Sequence, residues 1–265
     1  MSAPAEPRDL ILSRLSWPEI RDIREQVEVV LLPIGSNEQH GPNLSVEFDI
    51  VAATEFSRRA SARLYPRLLV APPIPWGVSF HHMNFPGTIT LSVNTFMQLL
   101  VEVVASLKAH NFERFLIVNG HGGNIQPMGA AVVRIQEEVN PAFIGACSHF
   151  AFQDRAEANA RHGISGITGH ACENETAVGM YMAPQTVKTD ALAAGELTDL
   201  ARGFRAHMAR YGVTVPYRFD EFTTNGALGD ARNATWEYGR DLVESSLDNF
   251  VAFIDDLVAN TPLPR

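Results

Sequence analysis

Cysteine is nearly missing from this 265-residue chain, which carries only Cys147 and Cys172. Two thiols can build neither a disulfide framework nor a zinc ribbon, and their scarcity fits a reducing, cytoplasmic compartment. No run approaches the ~20 apolar residues of a membrane helix. The opening Met-Ser-Ala-Pro-Ala-Glu-Pro has no basic start and no apolar stretch after it, so no secretory signal is expected. Positive charge is scarce too: 21 Lys and Arg against 30 Asp and Glu leave a formal charge of −9. That balance excludes nucleic acid and an anionic membrane as main partners, because both attract clustered cations. Repeats, charge runs and linkers rich in Ser, Gly or Pro are absent, so residues 1–265 read as a single domain. With 46% hydrophobic residues the chain can bury a substantial core.

What is present alternates between strand and helix signals. Val27 to Ile34 is an apolar run ending in Gly35, as suits a strand buried on both faces of a parallel sheet. Residues Phe48 to Leu64 place apolar side chains at helical spacing, with Arg58, Arg59 and Arg63 outside. A short strand is expected over Leu68 to Ala71, then an irregular stretch from Pro73 to Leu91. The pattern predicts a helix over Thr95 to His110 capped by Asn94, and a strand over Phe115 to Val118. A helix from about Pro127 to Val139, a strand over Ala142 to Cys147 and a helix opening at Glu175 follow. Val213 to Asp230 is loop-rich, and Trp236 to Val258 forms a long amphipathic helix. This order predicts an α/β fold, a mostly parallel central sheet with helices on both faces. In such sheets ligands bind in loops after the carboxyl ends of strands, which singles out Gly35 to Asp49 and Asn119 to Asn124.

Three of these loops carry chemistry. Glu38 and His40 follow the first strand, and Asp49 sits where the next helix begins. Carboxylate with imidazole suits zinc, manganese or iron, whereas calcium and magnesium prefer oxygen ligands alone. Taken alone, the set also fits ordinary loop polarity, with Asp49 stabilised by the helix dipole. His121 lies in Asn119-Gly120-His121-Gly122-Gly123-Asn124, whose glycines allow close approach of a ligand or metal. The same turn could cradle an anion at the helix start, although it has no Lys-Ser/Thr ending of a P-loop. The third loop, Gly169-His170-Ala171-Cys172-Glu173-Asn174-Glu175-Thr176, puts an imidazole and two acids at the head of a helix. Dipole partnership accounts for the acids there, but not for three strand-end loops that each present a histidine with or near an acid.

These segments, with Phe-Pro-Gly-Thr-Ile at 85–89, resemble the creatininase (creatinine amidohydrolase) family across roughly residues 15 to 250. The likeness is to the Asn-Gly-His-Gly-Gly-Asn subgroup rather than to creatininase proper. It implies a three-layer α/β/α fold, two divalent metals per chain (zinc, manganese or iron), C–N bond hydrolysis and a homo-oligomer, often a hexamer. By this resemblance Glu38 and His121 hold one metal, His40 the other, and Asp49 bridges them. Creatininase proper supplies one more carboxylate two residues after the histidine matching His121, where this chain has Gly123. Relatives with the Gly-Gly form are similar to this chain in having a glutamate three residues after the His170 equivalent, so the resemblance implies that Glu173 completes the second site and joins His170 in catalysis, with Glu175 as the alternative that merely holds the loop. His170 is expected to protonate the departing nitrogen, a task suited to histidine. Ser79, His82 and Gly122 fall in segments similar to the family's substrate side.

The substrate pocket departs from creatininase proper. Gly122 replaces a tyrosine, and Ile164 to Gly169 holds none of the aromatic residues found before the family's catalytic histidine. A flat ring then has little to stack on. The leading expectation is a dinuclear metal hydrolase opening a small cyclic amide or related amide through a metal-activated water. The alternatives are a creatininase-like peptidase trimming a peptide cofactor precursor, or a non-catalytic module binding a small molecule or anion.

Overall fold

A computed structural model describes residues 9–165, 169–199 and 215–262. Four strands form one sheet: β1 (Val29–Ile34), β2 (Leu68–Val70), β3 (Arg114–Asn119) and β4 (Phe143–Ser148). Their order is β2-β1-β3-β4, and all three pairings are parallel. Seven α-helices are described: α1 (Trp17–Ile23), α2 (Phe48–Arg63), α3 (Val93–Lys108), α4 (Ile125–Glu138), α5 (Arg155–His162), α6 (Glu173–Met182) and α7 (Trp236–Asn260).

The layering follows from the side-chain period of two along a strand. On one face Val29, Leu31, Leu116 and Val118 pack with Phe48, Ala52 and Phe56 of α2 and with α6 and α7. On the other, Val30, Leu32, Ile34, Phe115 and Ile117 pack with Phe96, Leu100 and Val104 of α3 and with Met128 and Ile135 of α4. Both faces of β1 and β3 are covered, so every residue of these strands is buried and neither strand alternates in polarity. Helices on both sides of an all-parallel sheet make the expected three layers.

The differences from the sequence-based expectations have local causes. Helix α3 starts at Val93 and is capped by Ser92, not Asn94: Ser92 Oγ accepts the Thr95 N–H at 3.2 Å, satisfying a donor the helix leaves open. Helix α6 opens at Glu173, two residues before the expected start, so both of its glutamates lie in the first turn. With seven and eight residues, α1 and α5 are too short to register as periodic segments. Of the loop expected over Val213 to Asp230, residues 213–214 lie outside the described ones. The rest is irregular apart from 3-10 turns such as Phe219–Glu221. No described helix is long and apolar enough to cross a membrane.

Candidate metal centre and active site

The carboxyl ends of β1 and β3 deliver the two loops that the crevice rule singles out, and the head of α6 closes over them. Asp49 lies between the histidines of the two loops. Its Oδ1 is 3.0 Å from His40 Nε2, and its Oδ2 is 3.1 Å from His121 Nδ1. Glu38 Oε1 is also 3.1 Å from His121 Nδ1. Glu38, His40, Asp49 and His121 are all almost completely buried.

The backbone sets the direction of each ring. His40 Nδ1 faces the Glu38 carbonyl at 3.1 Å, and His121 Nε2 faces the Val78 carbonyl at 3.1 Å. A carbonyl only accepts, so those nitrogens carry the hydrogens, and His40 Nε2 and His121 Nδ1 are left as ligand atoms. Asp49 Oδ2 is buried and makes no hydrogen bond, although His121 Nδ1 is close to it. Converging ligand atoms and an orphaned carboxylate oxygen fit a cation. Among the described residues Glu38, His40 and His170 form one group able to hold a metal, and Glu38, His81 and His121 another.

The electrostatics agree. Burial opposes a charge on His40, but Asp49, Glu175 and Glu38 outweigh it and raise the ring to about 10. Burial likewise opposes charge on His121, yet Glu38 and Asp49 raise it well above its ordinary value. In turn His40 and His121 outweigh burial at Asp49 and hold its carboxyl far below the usual range. Burial, with the Asp49 and Glu38 carboxylates adding to it, pushes Glu175 up to about 7, against the pull of His40 and of the Ala171 N–H. Crowded buried carboxylates need positive charge among them, and a bound cation is the strongest source of it.

The two glutamates of α6 part company. Glu175 lines the cleft, and its Oε2 accepts the Ala171 N–H at 2.6 Å. Glu173 is buried but does not line the cleft; its Oε2 accepts the Asp230 N–H at 2.8 Å. Gly123 explains why an acid is not supplied there, as it is in creatininase proper. A Cβ at that position would fall 2.3 Å from His121 Nε2 and 2.4 Å from the Val78 carbonyl.

His170 stands over the centre. Its Nε2 donates to the Gln39 carbonyl at 2.7 Å, and its Nδ1 is 3.8 Å from Glu38 Oε1. Burial, reinforced by His40, holds it well below its ordinary value, so the ring is neutral. Ser79 is fully buried behind Glu38. Its Oγ donates to Glu38 Oε2 at 2.8 Å and lies 3.1 Å from His121 Nε2, and it does not line the cleft. His82 and Gly122 do line it, and a Cβ at Gly122 would meet nothing within 4 Å. Cys172 is buried with its thiol pushed up to about 12, chiefly by burial, and is no nucleophile.

Above this floor opens a cleft of about 800 Å³ with apolar walls, including Val78, Phe80, Val93, Ile125, Tyr217 and Phe219. A smaller cavity of about 250 Å³ at the other end of the sheet gathers charges of both signs, among them Glu28 and Arg114, and no histidine. Tyr217 and Phe219 of the cleft carry no signal in the sequence, because nothing in their spacing ties them to the strand-end loops. Adjacent histidines in an irregular stretch were the one available signal for His81. Residues 166–168, in the segment whose lack of aromatics argued against creatinine, lie outside the described residues.

Comparison with known proteins places the chain in a family. The sequence pattern of the creatinine amidohydrolase (creatininase) family matches residues 13–254. A mycofactocin precursor peptide peptidase of Mycobacterium ulcerans is 33% identical over 246 residues, covering 90% of this chain and 85% of that one. The crystal structure of a putative creatinine amidohydrolase from Bacteroides fragilis superposes with a TM-score of 0.81 at 24% identity, over 97% of this chain and 99% of that chain. Creatininases described as a zinc–zinc type and as a manganese form share the fold, with TM-scores of 0.79 and 0.78 at 20% identity, each over 95% of this chain and 99% of its own. From the match across nearly its whole length, the chain belongs to the creatininase family of hydrolases.

Proposed function

We propose that this chain is a metal-dependent amidohydrolase that cleaves a C–N bond near the end of a peptide or peptide-like substrate. One observation carries the reading: a compact floor of carboxylates and imidazoles lies under an apolar cleft of about 800 Å³. A ring the size of creatinine would occupy a small part of that space, whereas a chain terminus with side chains would fill it. The relatives named as precursor peptide peptidases support the same choice.

Glu38 and His121 would hold one divalent ion, His40 and Glu175 the other, with an oxygen of Asp49 toward each. Glu175 takes the place expected of Glu173, because it lines the cleft and feels the charges of Asp49 and Glu38, whereas Glu173 does not line the cleft. Zinc, manganese and iron all suit this donor set. Such ions would activate a water for attack and polarise the carbonyl. Ser79 orients Glu38 and His121. His170 would take a proton at Nδ1 from the attacking water and pass it to the departing nitrogen, held for that task by the Gln39 carbonyl. The apolar walls of the cleft exclude water and seat the substrate's side chains.

Phe80, Val93 and Ile125 stay exposed at the cleft rim, which supports a homo-oligomer that covers part of this edge. Two cysteines without a disulfide support a cytoplasmic setting.

The test is elemental analysis of the purified chain followed by mass spectrometry of water addition to short peptides, cyclic amides, lactones and formamides. Two transition-metal ions per chain with release of a peptide end is the expected result. Ring opening without peptide turnover would return the assignment to a small cyclic amide. Less than one ion per chain after reconstitution would leave only a binding module.

A further inference from the structure

Between Glu38 and His40 the chain carries Gln39, whose side-chain amide is held from both ends. The Gly41 N–H donates to Oε1 at 2.9 Å, and Nε2 donates to the Gly226 carbonyl at 3.0 Å. An amide oxygen cannot donate and an amide nitrogen cannot accept, so these two backbone partners exclude the flipped amide. The seat is built to fit. Gly226 lies at φ +83°, and a Cβ there would fall 2.0 Å from Gln39 Oε1.

The remaining hydrogen on Gln39 Nε2 points at His82 Nδ1, 2.8 Å away. A donor on that side obliges Nδ1 to be the bare nitrogen and places the ring hydrogen on Nε2. Phe219 stacks on the ring, with centroids 4.2 Å apart and planes at 29°, and fixes its plane. His82 Nε2 then stands 3.7 Å from Glu38 Oε1, on the wall of the cleft. The main-chain carbonyl of the same Gln39 takes the Nε2 hydrogen of His170, which leaves that ring with a bare Nδ1.

We propose that Gln39 is a positioning residue that, through its side-chain amide and its main-chain carbonyl, holds two neighbouring imidazoles in the same Nε2–H tautomer but in opposite orientations, so that His82 offers substrate a fixed Nε2–H donor while His170 offers a bare Nδ1. The use of this pair rests on the hydrolase reading above. Attack on an amide builds negative charge on the carbonyl oxygen, and an N–H held in place for that oxygen stabilises it without reorganisation. His82 is that donor. Loss of one such donor lowers turnover by about 10²–10³-fold.

The zinc-loaded full chain labelled with nitrogen-15 in histidine tests this through long-range nitrogen–proton spectra, with His82 assigned by its loss in His82→Phe. The expected pattern for His82 is a protonated Nε2 and a bare Nδ1, shifting toward a protonated Nδ1 in Gln39→Glu, whose carboxylate can only accept. Inorganic phosphate, a tetrahedral oxyanion, is expected to move the Nε2 proton downfield and to bind about tenfold more weakly to His82→Phe. A protonated Nδ1 in the wild type overturns the proposal even if a variant fails to fold. An unmoved Nε2 proton with equal phosphate affinity in both proteins overturns the donor role. Less than one zinc ion per chain with the stated His82 pattern would instead sink the hydrolase reading and leave the tautomer assignment standing.

Discussion

Glu175 and Glu173 share the first turn of α6, yet one enters the donor floor and the other the packing seam beside Asp230. Residues two apart on a helix point about 200° away from each other, so a single turn can serve two regions. In the seam, one neutral backbone N–H meets the Glu173 carboxylate. On the floor, Glu175 lies among Asp49 and Glu38, and burial with those charges pushes it up to about 7. The contrast teaches that a buried acid is not by itself a ligand. What marks one is a surplus of like charge around it that the protein's own histidines only partly offset.

Removing metal breaks the comparison most severely. Chelation is expected to destabilise the loaded protein by about 4 kcal/mol when free metal stands a thousandfold above its dissociation constant. Thermal unfolding with and without chelator measures it, and identical curves would erase the difference between floor and seam. A milder cut is Ser79→Ala, which frees Glu38 Oε2 and leaves His121 less fixed. Metal affinity is expected to fall about 10–100-fold, the usual effect of losing a group that orients ligands, as read by competition with a chelating dye. Wild-type affinity in Ser79→Ala would show that the carboxylate needs no such support.

The smallest effect lies at the surface, where a carboxylate has cations for neighbours. Asp241 accepts from His162 and Arg161 at 2.9 Å and from Arg240 at 2.8 Å, and these hold it well below its ordinary 3.8. A depressed folded-state value means stability that is present above the ordinary value and lost as pH falls below it. Asp241→Asn should therefore cost up to about 1 kcal/mol at neutral pH, and the gap to wild type should close in acid. Denaturant titrations at several pH values follow the gap, and one that persists in acid would trace the loss to packing instead.

Much of the fold was legible because β1 and β3 carry their burial in plain apolar runs and α2 carries its own in apolar residues at helical spacing. Helix α5 was not, since Arg-Ala-Glu-Ala-Asn-Ala-Arg-His buries only Ala158. The cap of α3 was missed by two positions because Ser92 and Asn94 are both good caps, and only the bond to Thr95 separates them. At the site, Glu38, His40, Asp49 and His121 were readable as strand-end residues, and the structure brings them within contact of one another. Ser79 was legible as a site residue but not as a support behind Glu38. The choice between Glu173 and Glu175 was not legible, because it depends on where Asp230 and Asp49 lie in space.

Glu175, not Glu173, is expected to complete the pair of metal sites. This is tested most directly by counting metal ions per chain in the wild type, Glu175→Gln and Glu173→Gln by elemental mass spectrometry after identical reconstitution. Two ions are expected in the wild type, two in Glu173→Gln and one in Glu175→Gln. Two ions in Glu175→Gln with one in Glu173→Gln would contradict that expectation.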